Sequence, residues 1–245
     1  MTESERVASV LALQLVNGVA RERDEEVAVE APFHIQLDGE TLAVTMRTPG
    51  HDDELTAGFL LAEGHDPRGI AGGRVVKRGT LSSAACGVCG RDDVEELVAR
   101  LGPVTAPTQF DPRIVLDAMQ TLPAHQPVFA RTGGLHAAAL FTAKGELTVA
   151  REDVGRHNAV DKVLGRAALD GLLPLSEHFL AVSGRTSFEI VQKAVAAGVP
   201  ALVAISAPSS LAVELAERFR VLLVGFARGN GCTVYAGRFR LLGET

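Results

Sequence analysis

Three short, almost uninterrupted apolar runs in the second half of the chain constrain its fold more than any other feature. They are HFLAVSG from His178, ALVAIS from Ala201 and VLLVGF from Val221. Runs of this kind are typical of strands that are buried on both faces, and segments of helical spacing lie between them. The alternation of strand and helix predicts an α/β fold with a mostly parallel sheet that is flanked by helices.

The first half of the chain predicts a smaller α+β unit. Apolar and polar residues alternate on both sides of Asp38-Gly39, which is a hairpin signal. The stretch 102–112 is rich in proline, glycine and threonine and is the best candidate for a linker. We therefore place a domain boundary near residue 108, with an N-terminal domain of residues 1–108 and a C-terminal domain of residues 109–245.

Composition and the N-terminus narrow the class of protein. The apolar run Val7–Ala20 follows acidic rather than basic residues, so we expect a frayed tail or a short helix and no signal peptide. No later segment has the length of a membrane span. A net charge of −6, one tyrosine and no tryptophan argue against a nucleic-acid surface. Three cysteines without a disulfide framework predict a cytoplasmic protein with free thiols and no membrane partner.

Three loops follow the predicted parallel strands at the edge where open α/β sheets bind ligands. They span residues 183–187, 206–210 and 226–230. The first two are rich in hydroxyl groups and lead into helix N-termini, which attract anions. Arg185 and Arg228 add guanidinium groups that suit phosphate. The loops together predict a site for a phosphate-bearing ligand, whereas ordinary caps and turns would explain each loop alone.

Further polar residues lie close to these loops. Thr186 and Glu189 fit the spacing of a capping box. In REDVGRHNAVDK, Asp153 and His157 share a helical face, which is either the polar wall of a ligand crevice or a solvated face with ion pairs. On the first interpretation His157 carries a proton or donates to a phosphate. His136 lies in an apolar run and is interpreted as a core residue.

The cysteine pair Cys86 and Cys89 has a glycine after each member. Structural zinc needs four ligands, and the sequence has neither a second C-x-x-C nor the H-x-E of zinc deaminases, so we expect no metal site. Two alternatives stay open, a dithiol redox couple and a carrier of sulfur that accepts it by thiolate exchange. The glycines favour a mobile loop and therefore the carrier.

Several long motifs resemble those of the FdhD family of formate dehydrogenase accessory sulfurtransferases. They are RTGGLHAAALF, REDVGRHNAVDK, SGRTSFEIVQKA, ISAPSSLAVELAE and ACGVCG, and the similarity covers roughly residues 27–240. The resemblance implies a cytidine-deaminase-like fold for the C-terminal domain, without zinc chemistry. It also implies a homodimer.

The resemblance further implies that sulfur passes from a cysteine desulfurase, as a persulfide on Cys86 assisted by Cys89, to molybdenum bis(molybdopterin guanine dinucleotide). This cofactor is cargo for the formate dehydrogenase catalytic subunit, and the stretch Phe226–Gly231 matches the family's cofactor-binding segment. A rival function is a chaperone that holds the cofactor and uses its cysteines only structurally. The cofactor-binding candidates from both arguments are Ser183, Gly184, Arg185, Thr186, Ser187, His157, Phe226, Ala227, Arg228, Gly229, Asn230 and Gly231.

Overall fold

The computed structural model describes residues 5–68 and 99–243, and its largest element is a six-stranded sheet. In chain order the strands and α-helices are β1 (Val7–Val16), β2 (Val19–Ala28), β3 (Ala31–Leu37), β4 (Glu40–Arg47), α1 (Asp52–Ala62), α2 (Pro112–Thr121), α3 (Pro127–Thr132), β5 (His136–Thr142), β6 (Leu147–Asp153), α4 (Arg156–Leu169), β7 (His178–Val182), α5 (Phe188–Ala196), β8 (Ala201–Ala204), α6 (Ser210–Arg218), β9 (Leu222–Arg228) and β10 (Gly231–Ala236). Short 3-10 helices span Leu122–His125 and Arg238–Arg240.

The centre of the sheet is formed by the three apolar runs. Strands β7, β8 and β9 pair in parallel, as their sequence predicts. In β7, Leu180 and Val182 pack in the core that α4, α5 and α6 cover, and Phe179 and Ala181 pack in the core that α2 covers. Both faces of these strands are therefore buried, which explains why the runs contain almost no polar residue.

The flanks of the sheet correct the predicted strand direction. The strand order is β10-β9-β8-β7-β5-β6, and β5 lies antiparallel to both β6 and β7. Strand β10 is likewise antiparallel to β9. The α/β class is confirmed, but the prediction of a mostly parallel sheet is wrong outside the centre, because two hairpins supply the outer strands. The cytidine-deaminase-like assignment stays a prediction.

Two separate hairpins precede α1. Strands β3 and β4 pair around Asp38-Gly39, as predicted, with both turn residues at positive φ. Strands β1 and β2 pair around Asn17-Gly18, again with both turn residues at positive φ. The expected tail or short helix over Val7–Ala20 is therefore wrong, and the overlooked signal is the Asn-Gly dipeptide, which favours a tight hairpin turn.

The N-terminal part of the chain packs directly on the large sheet's helical layer. Gly58 of α1 and Gly165 of α4 face each other where the two helices cross, and a Cβ on either residue would overlap the other helix's backbone. The predicted domain boundary near residue 108 stays a prediction. None of the helices in the described part of the chain is long and apolar enough to cross a bilayer.

Candidate functional site

The carboxyl ends of β6, β7, β8 and β9 meet at one edge of the sheet, called here the carboxyl edge. Strands β6 and β7 point the same way because β5 is antiparallel to both. Helices α4, α5 and α6 each begin just after one of these strands. Three helix N-termini therefore lie at the edge where the sequence predicts a phosphate-bearing ligand.

The loops after β7 and β8 are joined through their main chains. The Thr186 N–H donates to the Ala207 carbonyl (3.2 Å), and the Ser209 N–H donates to the Thr186 carbonyl (2.9 Å). Ser183 Oγ accepts a hydrogen bond from the Ala137 N–H (2.8 Å), so it continues the pairing of β5 with β7. The loops form one contiguous surface. Within it, the Ser183 side chain bonds to the main chain of β5, and the Arg185 side chain is exposed to solvent.

The start of α5 differs from the predicted capping box. Its N-cap is Ser187 and not Thr186, and the Ser187 side chain caps no helix N–H. Instead, Ser187 Oγ lies 3.0 Å from His157 Nε2 at the start of α4. Thr186 is only 1% exposed, and its hydroxyl makes no hydrogen bond to the described residues. The prediction of a capping box is therefore wrong. The helix begins one residue later than predicted, the Ser187 hydroxyl bonds to His157, and the Thr186 hydroxyl caps no helix N–H.

His157 is a neutral residue at the carboxyl edge. Burial lowers the pKa of His157 to about 4, and Lys193 and Arg156 contribute in the same direction. Glu189 opposes this shift, since its Oε2 lies 3.8 Å from His157 Nδ1. At neutral pH the imidazole is therefore uncharged, so it can position a ligand by hydrogen bonding but does not supply a fixed positive charge.

We expect the His157 imidazole to titrate near pH 4 and not near 6.5, because protonation would place a charge in a buried site. Carbon-detected NMR of the histidine rings, assigned by comparison with His157→Gln, measures this directly. A His157 titration at or above pH 6 would contradict the buried neutral state.

The predicted segment 226–231 is mainly a hairpin and not a loop. Phe226 to Arg228 end β9, and Gly229-Asn230 make a two-residue turn into β10. Phe226 has a φ of 53° and is 46% exposed, so a large aromatic ring is held at the edge in a backbone conformation that such residues rarely adopt. Arg228 is exposed, and its Nε donates to the Ile205 carbonyl (2.9 Å). Ala227 is buried and presents no side chain to a ligand.

Two residues outside the predicted set also lie at the carboxyl edge. His136 begins β5 and Arg156 begins α4. A Cβ on Gly184 would lie 3.3 Å from His136 Nδ1 and 3.7 Å from Arg156 Cδ, so both side chains approach this glycine. The interpretation of His136 as a core residue is wrong, because β5 runs antiparallel and begins where β7 ends.

The predicted helical face of Asp153 and His157 is wrong, because Asp153 ends β6 and only His157 lies on α4. Asn158, Asp161 and Lys162 of α4 are buried, so they form neither a crevice wall nor a solvated face. Lys162 Nζ donates to Asp153 Oδ2 (2.6 Å) and to the Thr48 carbonyl (2.8 Å). Asn158 Nδ2 donates to Asp153 Oδ1 (3.0 Å) and to the Met46 carbonyl (2.8 Å). These groups tie the end of β4 to the carboxyl edge.

Cys86 and Cys89 lie outside the described residues, so their role in carrying sulfur stays a prediction. Within the described ranges, no group of three histidine, cysteine or carboxylate side chains is arranged to hold a metal ion. A groove of about 610 Å³ lies elsewhere, along β6 and the C-terminal end of α4, and is not the predicted site.

Known proteins are similar to this chain over most of its length. The model of the FdhD/NarQ family matches residues 71–242. A sulfur carrier protein FdhD from Streptomyces coelicolor is 43% identical, over 94% of this chain and 93% of that protein. One from Anaeromyxobacter dehalogenans strain 2CP-C is 46% identical, over 89% and 88%. The crystal structure of a formate dehydrogenase accessory protein from Desulfotalea psychrophila superposes with a TM-score of 0.79 at 28% identity, covering 96% of this chain and 99% of the other.

Proposed function

Because the chain belongs to the FdhD/NarQ family, we propose that it carries sulfur for the maturation of formate dehydrogenase. The observation that supports this function best is the agreement between relatives named sulfur carrier proteins and the C-x-x-C pair Cys86 and Cys89. The protein acts in the cytoplasm, where its thiols stay reduced. Its partners are a cysteine desulfurase and the formate dehydrogenase catalytic subunit.

The proposed chemistry is two thiol exchanges. The Cys86 thiolate attacks the terminal sulfur of the desulfurase persulfide, the desulfurase cysteine leaves as a thiolate, and Cys86 now holds the persulfide. Cys89 then attacks Cys86 Sγ and releases the terminal sulfur as hydrosulfide for the metal of the cofactor. The Cys86–Cys89 disulfide that remains balances the two electrons, and an external thiol must reduce it before the next cycle.

The proposed cargo is molybdenum bis(molybdopterin guanine dinucleotide), bound at the carboxyl edge. Support comes from the exposed Phe226 ring, which is suited to stack on a guanine base, and from the helix N-termini, which are suited to phosphates. Arg228 and Arg185 are exposed, and their guanidinium groups suit the ligand's charged oxygens.

The first test is mass spectrometry after the protein has been mixed with a persulfide-loaded cysteine desulfurase. We expect one added sulfur on the peptide that holds both cysteines, removable by reductant, absent from Cys86→Ala and retained by the control Cys232→Ala. Cys86→Ala is also expected to abolish activation of formate dehydrogenase.

Two results would contradict the carrier. Full activation by Cys86→Ala together with loss in Arg228→Ala would favour a cofactor chaperone that uses its cysteines only structurally. A reversible disulfide without any added sulfur would favour a dithiol oxidoreductase.

We also propose a homodimer that forms through the open edge of β1. This strand has no charged residue, and in the described part of the chain it pairs only with β2. Leu11, Leu13 and Leu15 share one face and are 69%, 61% and 68% exposed. An uncharged open edge is a template for strand pairing, and a two-fold axis would bring the leucines of both copies together.

Leu13→Lys is accordingly expected to convert a dimer to a monomer at micromolar concentration, because two lysines would meet at the centre of the paired strands. Light scattering coupled to size-exclusion chromatography measures this change. Leu242→Lys, at another exposed leucine (50%), is the matched control and should stay dimeric. A wild-type monomer, or a dimer that persists in Leu13→Lys, would contradict this interface.

A further inference from the structure

Arg156 is a partly buried arginine whose charge has no counter-ion among residues 5–68 and 99–243. Its Nε is buried and makes no hydrogen bond within residues 5–68 and 99–243, and its guanidinium forms no ion pair there. A buried guanidinium group is costly unless an anion or several acceptors surround it. The arrangement therefore has room for a negative charge that the described protein does not supply.

Asp153 and Glu189, which act together with Arg156 on the pKa values of His136 and His157, bind other groups. Asp153 accepts hydrogen bonds from Lys162 Nζ (2.6 Å) and the Gly155 N–H (2.8 Å). Glu189 lies near Lys193 Nζ (3.9 Å) and is oriented toward that ammonium group and His157. In the described part of the chain neither carboxylate forms an ion pair with Arg156, so neither neutralises its charge directly.

Gly184 leaves a space beside Arg156. A Cβ built on this glycine would lie 3.7 Å from Arg156 Cδ, 3.3 Å from His136 Nδ1 and 3.6 Å from His136 Cε1. The absence of a side chain thus keeps a small gap open, which the imidazole ring and the aliphatic part of the arginine both approach. His136 retains an N–H that can donate into the gap.

The electrostatics of the gap favour an oxyanion. Burial lowers the pKa of His136, and the charge on Arg156 lowers it further, so the imidazole is neutral and the arginine carries the positive charge. Arg156 is also the first residue of α4, a 14-residue helix whose N-cap is glycine and whose first N–H groups lack a side-chain cap. One fixed cation, one imidazole donor and a helix N-terminus form a set that suits phosphate oxygens.

We propose that Arg156 and His136, both of which approach Gly184, bind a phosphate group of the cargo. This inference rests on the proposed binding of a guanine dinucleotide. In the sheet, β9 is two strands from β7 and three from β5, which at about 4.8 Å per strand places the gap roughly 10–14 Å across the sheet from Phe226. A nucleotide whose base stacks on Phe226 therefore extends along the carboxyl edge toward Arg156 with its diphosphate.

The test is isothermal titration of the full-length protein with GDP, guanosine and inorganic pyrophosphate. Arg156→Gln is expected to weaken GDP binding by about tenfold or more and to remove pyrophosphate binding, while guanosine binding changes little. Gly184→Ala leaves the arginine in place but fills the gap, and it should weaken GDP in the same way. Arg113→Gln, which removes an exposed arginine from α2, is the charge-matched control and should bind like the wild type.

The outcomes separate this inference from the function on which it rests. If Arg156→Gln and Gly184→Ala bind GDP and pyrophosphate like the wild type, the phosphate site is wrong and the nucleotide cargo stands. Pyrophosphate binding that depends on Arg156, without any binding of GDP, would support a site for free phosphate. It would contradict the proposal that the cargo contains a guanine nucleotide. If the wild type binds neither anion, the inference fails. Thermal unfolding of each variant shows whether a loss of binding reflects a loss of fold.

Discussion

Gly165→Ala is expected to lower the free energy of unfolding by about 3 kcal/mol, although alanine is ordinarily the better helix former. A Cβ at Gly165 would overlap the Glu54 carbonyl oxygen and would lie 2.6 Å from Gly58 N. Both atoms belong to the backbone of α1, so no side chain can rotate away. The only relief is a shift of α1 from α4, which exposes the apolar surface buried between them.

Urea unfolding followed by circular dichroism measures this effect, and Gly102→Ala is the control because nothing lies within 4 Å of a Cβ at Gly102. The changes in unfolding free energy caused by Gly165→Ala and Gly102→Ala are expected to differ in sign, or at least in size. Helix propensity alone would stabilise Gly165→Ala by about 1 kcal/mol. A variant as stable as the wild type would therefore show that the two helices are not in backbone contact.

The parallel centre of the sheet could be predicted because burial leaves a local mark on each strand. A strand covered on both faces has no polar alternation, and the runs from His178, Ala201 and Val221 all show this. The carboxyl edge could be predicted as the ligand site from the same runs, since each run is followed by a hydroxyl-rich or glycine-rich turn. These inferences need only the residues within and next to one element.

The position of β5 could not be predicted in the same way. Its residues Ala137 to Phe141 are as apolar as those of the parallel strands, but which neighbours a strand pairs with depends on distant segments. The hairpin of β5 with β6 puts β5 in the gap between β6 and β7, where it runs in the opposite direction. His136 consequently lies at the carboxyl edge and not in the expected core. It is there close to Arg156, which no local pattern in the sequence indicates.

The N-terminal hairpin is the converse case, because the sequence contains a local turn signal that is stronger than the apolar spacing on which the expected tail or short helix rests. Val7–Val16 is dense in apolar residues and so satisfies helical as well as strand spacing. Asn17-Gly18 decides between them, because both residues adopt positive φ readily and the pair favours a two-residue turn. The strand's exposure to solvent on both faces removed the alternation that would otherwise have identified it.

Asp153→Asn is expected to cost about 3–5 kcal/mol of unfolding free energy, because it leaves the Lys162 ammonium buried without its counter-ion. Both side chains are fully buried, and Asp153 also accepts hydrogen bonds from the N–H groups of Thr48 (3.2 Å) and Gly155 (2.8 Å). Asparagine can keep part of these bonds but not the charge. The double variant Asp153→Asn with Lys162→Met should lose less than the sum of the single losses, since it removes the stranded charge.

The pH dependence distinguishes a lost ion pair from lost packing. Burial already lowers the pKa of Lys162, and without Asp153, which raises it, that pKa falls further. Between the folded and unfolded pKa values the unfolded chain holds more protons, so the stability of Asp153→Asn should recover as the pH rises from 7 to 9. Urea midpoints at both pH values, with the exposed Asp117→Asn as control, measure this recovery. A loss below about 1 kcal/mol, or a loss that does not change with pH, would mean that the pair does not hold the end of β4 against the carboxyl edge.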